Sequence, residues 1–292
     1  MHPLKLTGLQ YLMDISKGNP DIVIGVIDGP IDITHPAFHG SKIELLDSKI
    51  VDCKNANDMA CVHGTFVTGI LAAKRGSSAP AICPGCKIIL NPIFKQNRNN
   101  DLNEDTFLPS TTPEEVAKAI IETINMGAKI INLSMSLSTF SLTSYDDLRE
   151  SYDYALQNGV IIVVAAGNQG NIGNNSLINH QWPIPVAACD GNGRLDSISN
   201  FGYSIGNRGL MAPGVNIRSA YPSGQYVQMS GTSFAAPFVT GAIALLWSIF
   251  TKATAAEIIL SLTRDKLSRR PSIIPRMLNV EETYKVLKNT ST

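Results

Sequence analysis

The chain has 292 residues, of which 44% are hydrophobic and 16% are charged, and its formal net charge at pH 7 is zero. This is enough chain for one large α/β domain with a substantial core, and the charge is too evenly balanced for steering toward nucleic acid or a membrane surface. Residues 1–9 lack the basic and apolar regions of a signal peptide and no run has the length of a membrane span, so we expect a single cytoplasmic domain over 1–292, with no nucleic-acid or membrane partner.

The first predicted element is a buried strand that ends in a carboxylate. Residues 21–29 read DIVIGVIDG, a short β-branched run typical of a parallel strand. Asp28 stands at its carboxyl end, where ligands gather in open α/β sheets. A loop with two prolines follows at 29–38. We interpret its His35, and His39 just beyond it, as solvated loop histidines, because neither stands at a strand end or a helix start.

A polar residue also precedes the next apolar segment. His63 is followed at once by small and apolar residues with helical spacing, so it is predicted to begin a buried helix. Cys61 lies two residues before it, and Cys53 lies further upstream. A thiol there could modulate the histidine or bind a metal. Free cysteines are often buried as small hydrophobic residues, however, and we favour that interpretation.

The sequence CPGC at 83–86 is the one short motif that could carry separate chemistry. The spacing of Cys83 and Cys86 suits a redox pair or half of a zinc site. A zinc site would need a second ligand pair, and Cys53 and Cys61 are wrongly spaced to supply it. Because the motif leads into a strand at 87–90 and does not head a helix, we interpret it as a turn with two thiols, reduced or oxidised.

The central and final segments predict further elements. Thr112, Pro113 and two glutamates begin a helix that runs to about residue 126, after an exposed polar loop at 95–105. A strand is predicted within 128–137. The tail beyond Thr254 predicts two surface helices, at 255–260 and at 280–287.

The stretch SGTSFAAP at 230–237 leads directly into the apolar run 238–247. Small residues followed by helical apolar spacing predict a tight turn that feeds a buried helix, with Ser233 in the first turn. The helix dipole and free N–H groups there favour an attacking serine and the oxyanion it creates, although such a serine can equally be a simple N-cap. Asp28, His63 and Ser233, in this chain order, suggest a nucleophile with a charge-oriented base.

These motifs resemble the signature blocks of the subtilisin family of serine proteases. The blocks are DG at 28–29, HGT at 63–65 and GTSFAAP at 231–237, and VVAAGN at 163–168 looks like the family's strand that ends in an oxyanion-hole asparagine. The resemblance covers nearly the whole chain. It implies a three-layer α/β fold with a mostly parallel twisted sheet flanked by helices.

The resemblance assigns a role to each candidate catalytic residue. Ser233 would attack the carbonyl, His63 would take and return the proton, and Asp28 would fix the imidazole tautomer. Asn168 and the Ser233 N–H would stabilise the oxyanion. The substrate-binding positions that it implies are Ser134, Met135, Ser136, Ala165, Ala166 and Gly167, on two strands of which the first would pair with substrate backbone.

The sequence departs from the family pattern at three points. Ser136 and Leu137 stand where the family usually has glycines, so Leu137 could narrow or redirect the groove. Phe66 replaces a histidine that often follows the His-Gly-Thr block. Many subtilisins bind calcium in a long loop after the histidine helix, but the loop here, 74–79, is short and has no acidic residue. We therefore predict neither a metal nor a cofactor.

The function that the resemblance implies is a serine endopeptidase acting on a peptide or precursor peptide. Residues 9–38 and 92–94 look more like the cytoplasmic subtilases that process ribosomal precursor peptides, such as the cyanobactin maturation proteases, so leader removal is expected. An intracellular degradative subtilisin, a peptide macrocyclase and a peptide-binding pseudoprotease stay open. Macrocyclising relatives carry a helical insertion near the histidine, and the stretch between Asp28 and His63 has no obvious equivalent, which favours hydrolysis.

Overall fold

The computed structural model describes residues 2–46, 53, 58–94, 111–135, 144–172, 176–263 and 272–290. The helices are α1 (Pro3–Leu6), α2 (Leu9–Ile15), α3 (Met59–Ala72), α4 (Pro113–Asn125), α5 (Ser144–Gln157), α6 (Tyr203–Arg208), α7 (Thr232–Ile249), α8 (Ala255–Thr263) and α9 (Val280–Thr290). The strands are β1 (Val23–Asp28), β2 (Lys42–Leu45), β3 (Lys87–Pro92), β4 (Ile130–Leu133), β5 (Ile161–Ala165), β6 (Ile184–Cys189), β7 (Leu210–Pro213), β8 (Ile217–Tyr221), β9 (Gln225–Met229) and β10 (Arg276–Met277).

Eight of these strands form one parallel sheet in the order β10-β7-β6-β5-β4-β1-β3-β2. Strands β8 and β9 pair separately as an antiparallel hairpin. From β1 the chain goes to the edge strand β2, returns to β3 beside β1, and then crosses to β4 on the other side of β1 and continues outward to β10. The strand order therefore reverses beside β1, and ligands bind at such switch points in open α/β sheets. Asp28, the last residue of β1, therefore lies at the edge where a site is expected.

Helices cover both faces of the sheet and give three layers. Helices α3 and α7 pack on one face, and α4 and α5 pack on the other. Among the described helices, α7 alone is long and apolar enough to cross a membrane, which corrects the expectation that no run has that length. In the structure 89% of it is buried inside the fold. It is the central helix of the core. The predicted three-layer α/β fold with a parallel sheet is confirmed.

Local capping explains where two predicted helices begin. Helix α3 begins at Met59, not at His63 as predicted, because the Asp58 side chain caps it by accepting from Ala60 N–H. His63 therefore lies in the second turn of the helix. Helix α4 begins as the sequence indicates, since Thr112 and Glu115 form a reciprocal capping box.

One pair of cysteines differs from the prediction. Cys53 and Cys61 form a disulfide with their Cα atoms 5.6 Å apart, so our interpretation of both as free thiols is wrong. The bridge ties the chain before α3 to the first turn of that helix. Cys83 and Cys86, by contrast, are free and buried in the turn before β3. A hydrogen bond to Cys86 and burial raise the pKa of the Cys83 thiol.

Candidate active site

Asp28 and His63 form the central hydrogen-bonded contact of the site. The Nδ1 atom of His63 lies 2.7 Å from Asp28 Oδ1. A carboxylate can only accept, so Nδ1 carries the proton and donates it, which leaves the lone pair on Nε2. Asp28 Oδ1 also accepts from Gly29 N–H at 2.7 Å, which fixes the carboxylate against its own backbone. The pair is a base whose orientation and tautomer are set.

Two glycines allow the elements that carry this pair to touch. A Cβ added at Gly29 would lie 2.0 Å from the carbonyl oxygen of Ala60, and one added at Gly64 would lie 2.5 Å from the carbonyl oxygens of Gly29 and Pro30. Helix α3 therefore packs directly against the backbone that follows β1. This close approach is the physical reason for glycine after both Asp28 and His63.

The His63 imidazole packs against a pair of buried aromatic rings. Among the described residues, Nε2 of His63 and Oδ2 of Asp28 are buried without a hydrogen-bond partner. The Phe234 ring lies 5.5 Å from the imidazole, and the Phe66 ring lies 4.5 Å from Phe234. Phe66 thus replaces the family's usual histidine with a core side chain that packs against Phe234.

Ser233 occupies the second position of α7, next to Phe234. It is buried, with 4% of its surface exposed. The N-cap of α7 is Gly231, which has φ of 153° and makes no side-chain cap, so the interpretation of Ser233 as an N-cap is wrong. The hydroxyl makes no hydrogen bond to His63 Nε2 in this structure. Such bonds are often long in unliganded sites and tighten when substrate binds.

A proline inside α7 leaves the Ser233 carbonyl without its helical partner, and a side chain from β4 supplies one. Pro237 has no N–H to donate to the carbonyl four residues earlier. The Ser134 hydroxyl donates to that oxygen at 2.7 Å and accepts from Asn132 Nδ2 at 2.7 Å. Thr240 Oγ1 donates to Asn132 Oδ1 at 2.9 Å. This buried chain fixes the backbone of Ser233 to the end of β4.

Asn168 lies on the exposed loop after β5 and is held by the residue before Ser233. Its Oδ1 accepts from Thr232 N–H at 2.8 Å and from Thr232 Oγ1 at 2.9 Å. Because Oδ1 accepts from a backbone N–H, the amide orientation is fixed and Nδ2 is the free donor. The Thr232 hydroxyl in turn accepts from Gly167 N–H at 3.1 Å. The arrangement brings an amide donor beside the N-terminus of α7, where the first N–H groups lack helical acceptors.

The sequence matches the subtilase family over residues 19–272. This chain belongs to the subtilase family. It is 32% identical over 266 residues to the thermophilic serine proteinase of Bacillus sp. strain AK1, a match that covers 90% of this chain and 61% of that relative's length. The predicted membership of a subtilisin-like serine protease family is confirmed.

Solved structures with the same fold include those of two maturation proteases, one of which is represented by its protease domain. The protease domain of PatA superimposes with a TM-score of 0.79 at 28% identity, covering 94% of this chain and 97% of that one. The prenylagaramide maturation protease PagA superimposes with a TM-score of 0.81 at 26% identity, covering 96% and 98%. The predicted likeness to cyanobactin-type proteases is therefore confirmed at the level of structure.

The residues that the family resemblance implies for substrate binding lie at the ends of two adjacent strands, β4 and β5. Leu133 of β4 pairs with Val164 of β5, so the residues that follow them lie side by side. These residues are buried in the structure. The described positions are Ser134, Met135, Ala165, Ala166 and Gly167, whereas Ser136 and Leu137 lie outside the described residues.

The loop after Asp28 packs on the hairpin that precedes α7, which corrects the prediction for His35. This histidine is buried, with 2% of its surface exposed. Its Nδ1 accepts from Ala37 N–H, and its Nε2 lies 2.8 Å from the carbonyl oxygen of Gln225. The ring packs edge-on against Tyr226. Prediction from sequence failed because β8 and β9, which bury the histidine, lie about 190 residues away. His39 is exposed, as predicted.

The loop after α3, where calcium was considered, is held by an arginine. The Arg75 guanidinium donates to the carbonyl oxygens of Met13, Ser16 and Ile82. A fixed cation of the chain itself thus joins α2 to the turn before β3. In the part of the chain that the structure describes, no group of three or more His, Cys, Asp or Glu side chains is placed to hold a metal ion.

Proposed function

We propose that this chain is a serine endopeptidase that hydrolyses peptide bonds through Ser233, His63 and Asp28, within a single domain. The observation that carries the proposal is the Asp28–His63 hydrogen bond. It leaves a buried Nε2 that has no partner among the described residues, on an imidazole that packs against Phe234 in the first turn of α7. A hydroxyl is a weak nucleophile at neutral pH and needs such a base. The family membership supports this assignment.

In the proposed reaction Ser233 Oγ attacks the carbonyl carbon while His63 Nε2 accepts its proton. The resulting oxyanion receives hydrogen bonds from Asn168 Nδ2 and from Ser233 N–H. The protonated imidazole then gives its proton to the leaving amine, and Asp28 stabilises the imidazolium without taking a proton itself. Water, deprotonated by the same histidine, attacks the acyl-enzyme and releases the second product.

Covalent labelling tests the nucleophile directly. Diisopropyl fluorophosphate should label the chain once, and peptide mapping should place the label on Ser233. Ser233→Ala should remove both the label and cleavage of a peptide p-nitroanilide. Ser248→Ala, in the same helix but remote from its N-terminus, is the matched control. An unlabelled, inactive wild type would favour the peptide-binding pseudoprotease, and full activity in Ser233→Ala would refute the site.

We further propose that the natural substrate is a precursor peptide from which a leader is removed, and that it is cut in the cytoplasm. The similarity to PatA and PagA supports this role, because each of them is named a maturation protease. The substrate would add a strand beside the end of β4, held by main-chain hydrogen bonds. A broad casein digest without a preferred site would instead indicate a degradative enzyme.

The expected product is a linear peptide, not a ring. Protection of an acyl-enzyme from water requires a cover over the site, and the sequence between Asp28 and His63 offers no helix-sized insertion for one. Part of that stretch lies outside the described residues, so the expectation rests on sequence. Mass spectrometry of an incubated precursor peptide decides, since hydrolysis adds one water to the summed fragment mass and cyclisation adds none. Predominantly cyclic product would refute hydrolysis.

A further inference from the structure

We propose that Asn200 is a positioning residue for Asn168, the oxyanion donor of the proposed hydrolase. Asn200 lies in the segment between β6 and α6 and is buried, with 7% of its surface exposed. It belongs to none of the motifs that the sequence displays. The inference rests on the proposed function, because Asn168 must first act in the reaction.

All four bonds of the Asn200 amide reach the residues around Asn168. Its Oδ1 accepts from Gln169 N–H at 3.0 Å and from Asn171 N–H at 3.2 Å. Its Nδ2 donates to the Ala166 carbonyl at 3.1 Å and to Gln169 Oε1 at 2.7 Å. Since Oδ1 accepts from two backbone N–H groups, the orientation of the amide is fixed by its partners. One side chain therefore bridges the loop before and after the oxyanion residue.

Main-chain hydrogen bonds also join this loop to the segment that carries Asn200: Gly170 N–H donates to the Ile198 carbonyl at 2.8 Å, and Asn200 N–H donates to the Gly167 carbonyl at 2.9 Å. The Asn200 side chain adds the bonds to Ala166, Gln169 and Asn171 that enclose Asn168. Gly167 has φ of 105°, which is the left-handed region that favours glycine, so the backbone just before Asn168 is intrinsically permissive. Asn200 approaches it closely: a Cβ added at Gly167 would lie 2.4 Å from Asn200 Nδ2. Asn168 itself is exposed, whereas Ala166 and Gly167 before it are buried.

Asn168 is thus fixed from two sides. Thr232 holds the side-chain oxygen, and Asn200 holds the backbone on both sides of the residue. An oxyanion donor acts only when it lies within hydrogen-bond distance of where the negative charge develops, and a misplacement of 1 Å can cost about a hundredfold in rate. Loss of Asn200 should therefore lower kcat through Asn168 while the elements that carry Ser233 and His63 stay in place.

The test is a double-mutant cycle on hydrolysis of a peptide p-nitroanilide, normalised by active-site titration. Asn200→Ala should lower kcat by about 10- to 100-fold with KM little changed. In the Asn168→Ala background the same change should have almost no further effect, because the donor that it positions is gone. An equal loss in both backgrounds, or unchanged kcat in the single variant, would overturn the proposal.

Asn91→Ala is the matched control for loss of a buried amide. Asn91 is buried on β3 and donates to Ala119 O and Thr123 Oγ1 on the opposite side of the sheet. It should lower thermal stability but leave kcat unchanged.

Hydrogen exchange at the Thr232 amide, which donates to Asn168 Oδ1, reports the position of Asn168 without a substrate. It should become faster in Asn200→Ala and not in Asn91→Ala. An inactive wild type would refute the proposed function, and the exchange result would still decide whether Asn200 positions Asn168; unchanged exchange at Thr232 refutes that role.

Discussion

The two halves of the proposed site are built differently. Asp28 and His63 are carried by a strand end and a helix whose backbones touch, with glycines at the contact. Asn168 lies on an exposed loop and is placed by side chains from Thr232 and Asn200. The base is therefore positioned by backbone packing, and the oxyanion donor by individual hydrogen bonds. A single substitution can displace the donor without disturbing the core, whereas displacing the base requires separating two elements.

Among changes outside the nucleophile Ser233, the largest loss should follow one that keeps the packing of His63 but moves the proton on its imidazole. Asp28→Asn preserves the size of the side chain, yet the amide can donate to Nδ1, which favours the tautomer with the proton on Nε2. We expect kcat on a peptide p-nitroanilide to fall by about 10⁴-fold with the fold intact. A loss of less than about tenfold would show that His63 does not depend on Asp28 for its tautomer.

Removal of the oxyanion donor should cost less. Asn168→Ala deletes Nδ2 and also removes the Oδ1 acceptor of Thr232 N–H and Thr232 Oγ1, so we expect a destabilisation of about 1–2 kcal/mol with the fold intact. We expect kcat to fall by about 10²- to 10³-fold, with KM nearly constant, because the bond forms mainly in the transition state. Steady-state kinetics and thermal melts on the same samples check both parts. A rise in KM with constant kcat would assign Asn168 to ground-state binding.

Backbone packing in the base half predicts a coupled loss of stability and rate. Gly64→Ala places a Cβ 2.5 Å from two carbonyl oxygens, so α3 must move away from the residues after Asp28. We expect a destabilisation of about 1–3 kcal/mol, measured by urea unfolding, together with a fall in kcat.

Gly69→Ala is the control for that change because it overpacks the same helix elsewhere. The added Cβ would lie 2.6 Å from Ser219 Oγ on β8. Gly69→Ala should lower the free energy of unfolding but leave kcat unchanged. Equal kcat losses in both variants would mean that general loosening of α3, and not its contact with Gly29 and Pro30, limits the reaction.

The features that could be predicted from the sequence are those with a local pattern or a family resemblance, Asn168 among them. Asp28 and His63 could be located because a strand end and a helix with small residues leave a local pattern, and Ser233 could be located because its turn does too. The capping residues of α4 also form a local sequence pattern, and the structure confirms the helix start that they predict. The resemblance to a known family then supplied the three-layer arrangement.

What the sequence did not predict depends on distant contacts. Asn200 acts on residues about 30 positions earlier, and His35 is buried by a hairpin about 190 positions later. Neither is marked by any local pattern. The Cys53–Cys61 bridge was missed for the opposite reason: its partners are close in sequence, but only the fold shows that their Cα atoms come within bonding range. Ser134 was predicted from its strand, yet its bond to the Ser233 carbonyl needs Pro237 to free that oxygen.

The smallest effect is expected where the base half does use a side-chain tether. Asp32 Oδ2 accepts from Ser223 N–H at 2.8 Å, and Oδ1 accepts from Thr34, so the carboxylate joins the loop after Asp28 to the hairpin. Burial raises the pKa of this carboxyl, but these hydrogen bonds outweigh burial and hold the pKa below its ordinary value of 3.8. A depressed pKa means that the ionised form stabilises the fold above that value and that the contribution is lost as the pH falls through the folded-state pKa.

Asp32→Asn should therefore cost less than about 1 kcal/mol in the free energy of unfolding at neutral pH, since the carboxylate is partly exposed to solvent. The difference from wild type should hold from about pH 7 to pH 5 and shrink toward zero below pH 4, as measured by urea unfolding across that range. Because α3 and β1 hold the base without this tether, kcat should not change, in contrast to Asn200→Ala. If Asp32→Asn lowered kcat as much as Asn200→Ala, the base half would depend on side-chain tethers as the oxyanion half does, and the distinction between them would be wrong.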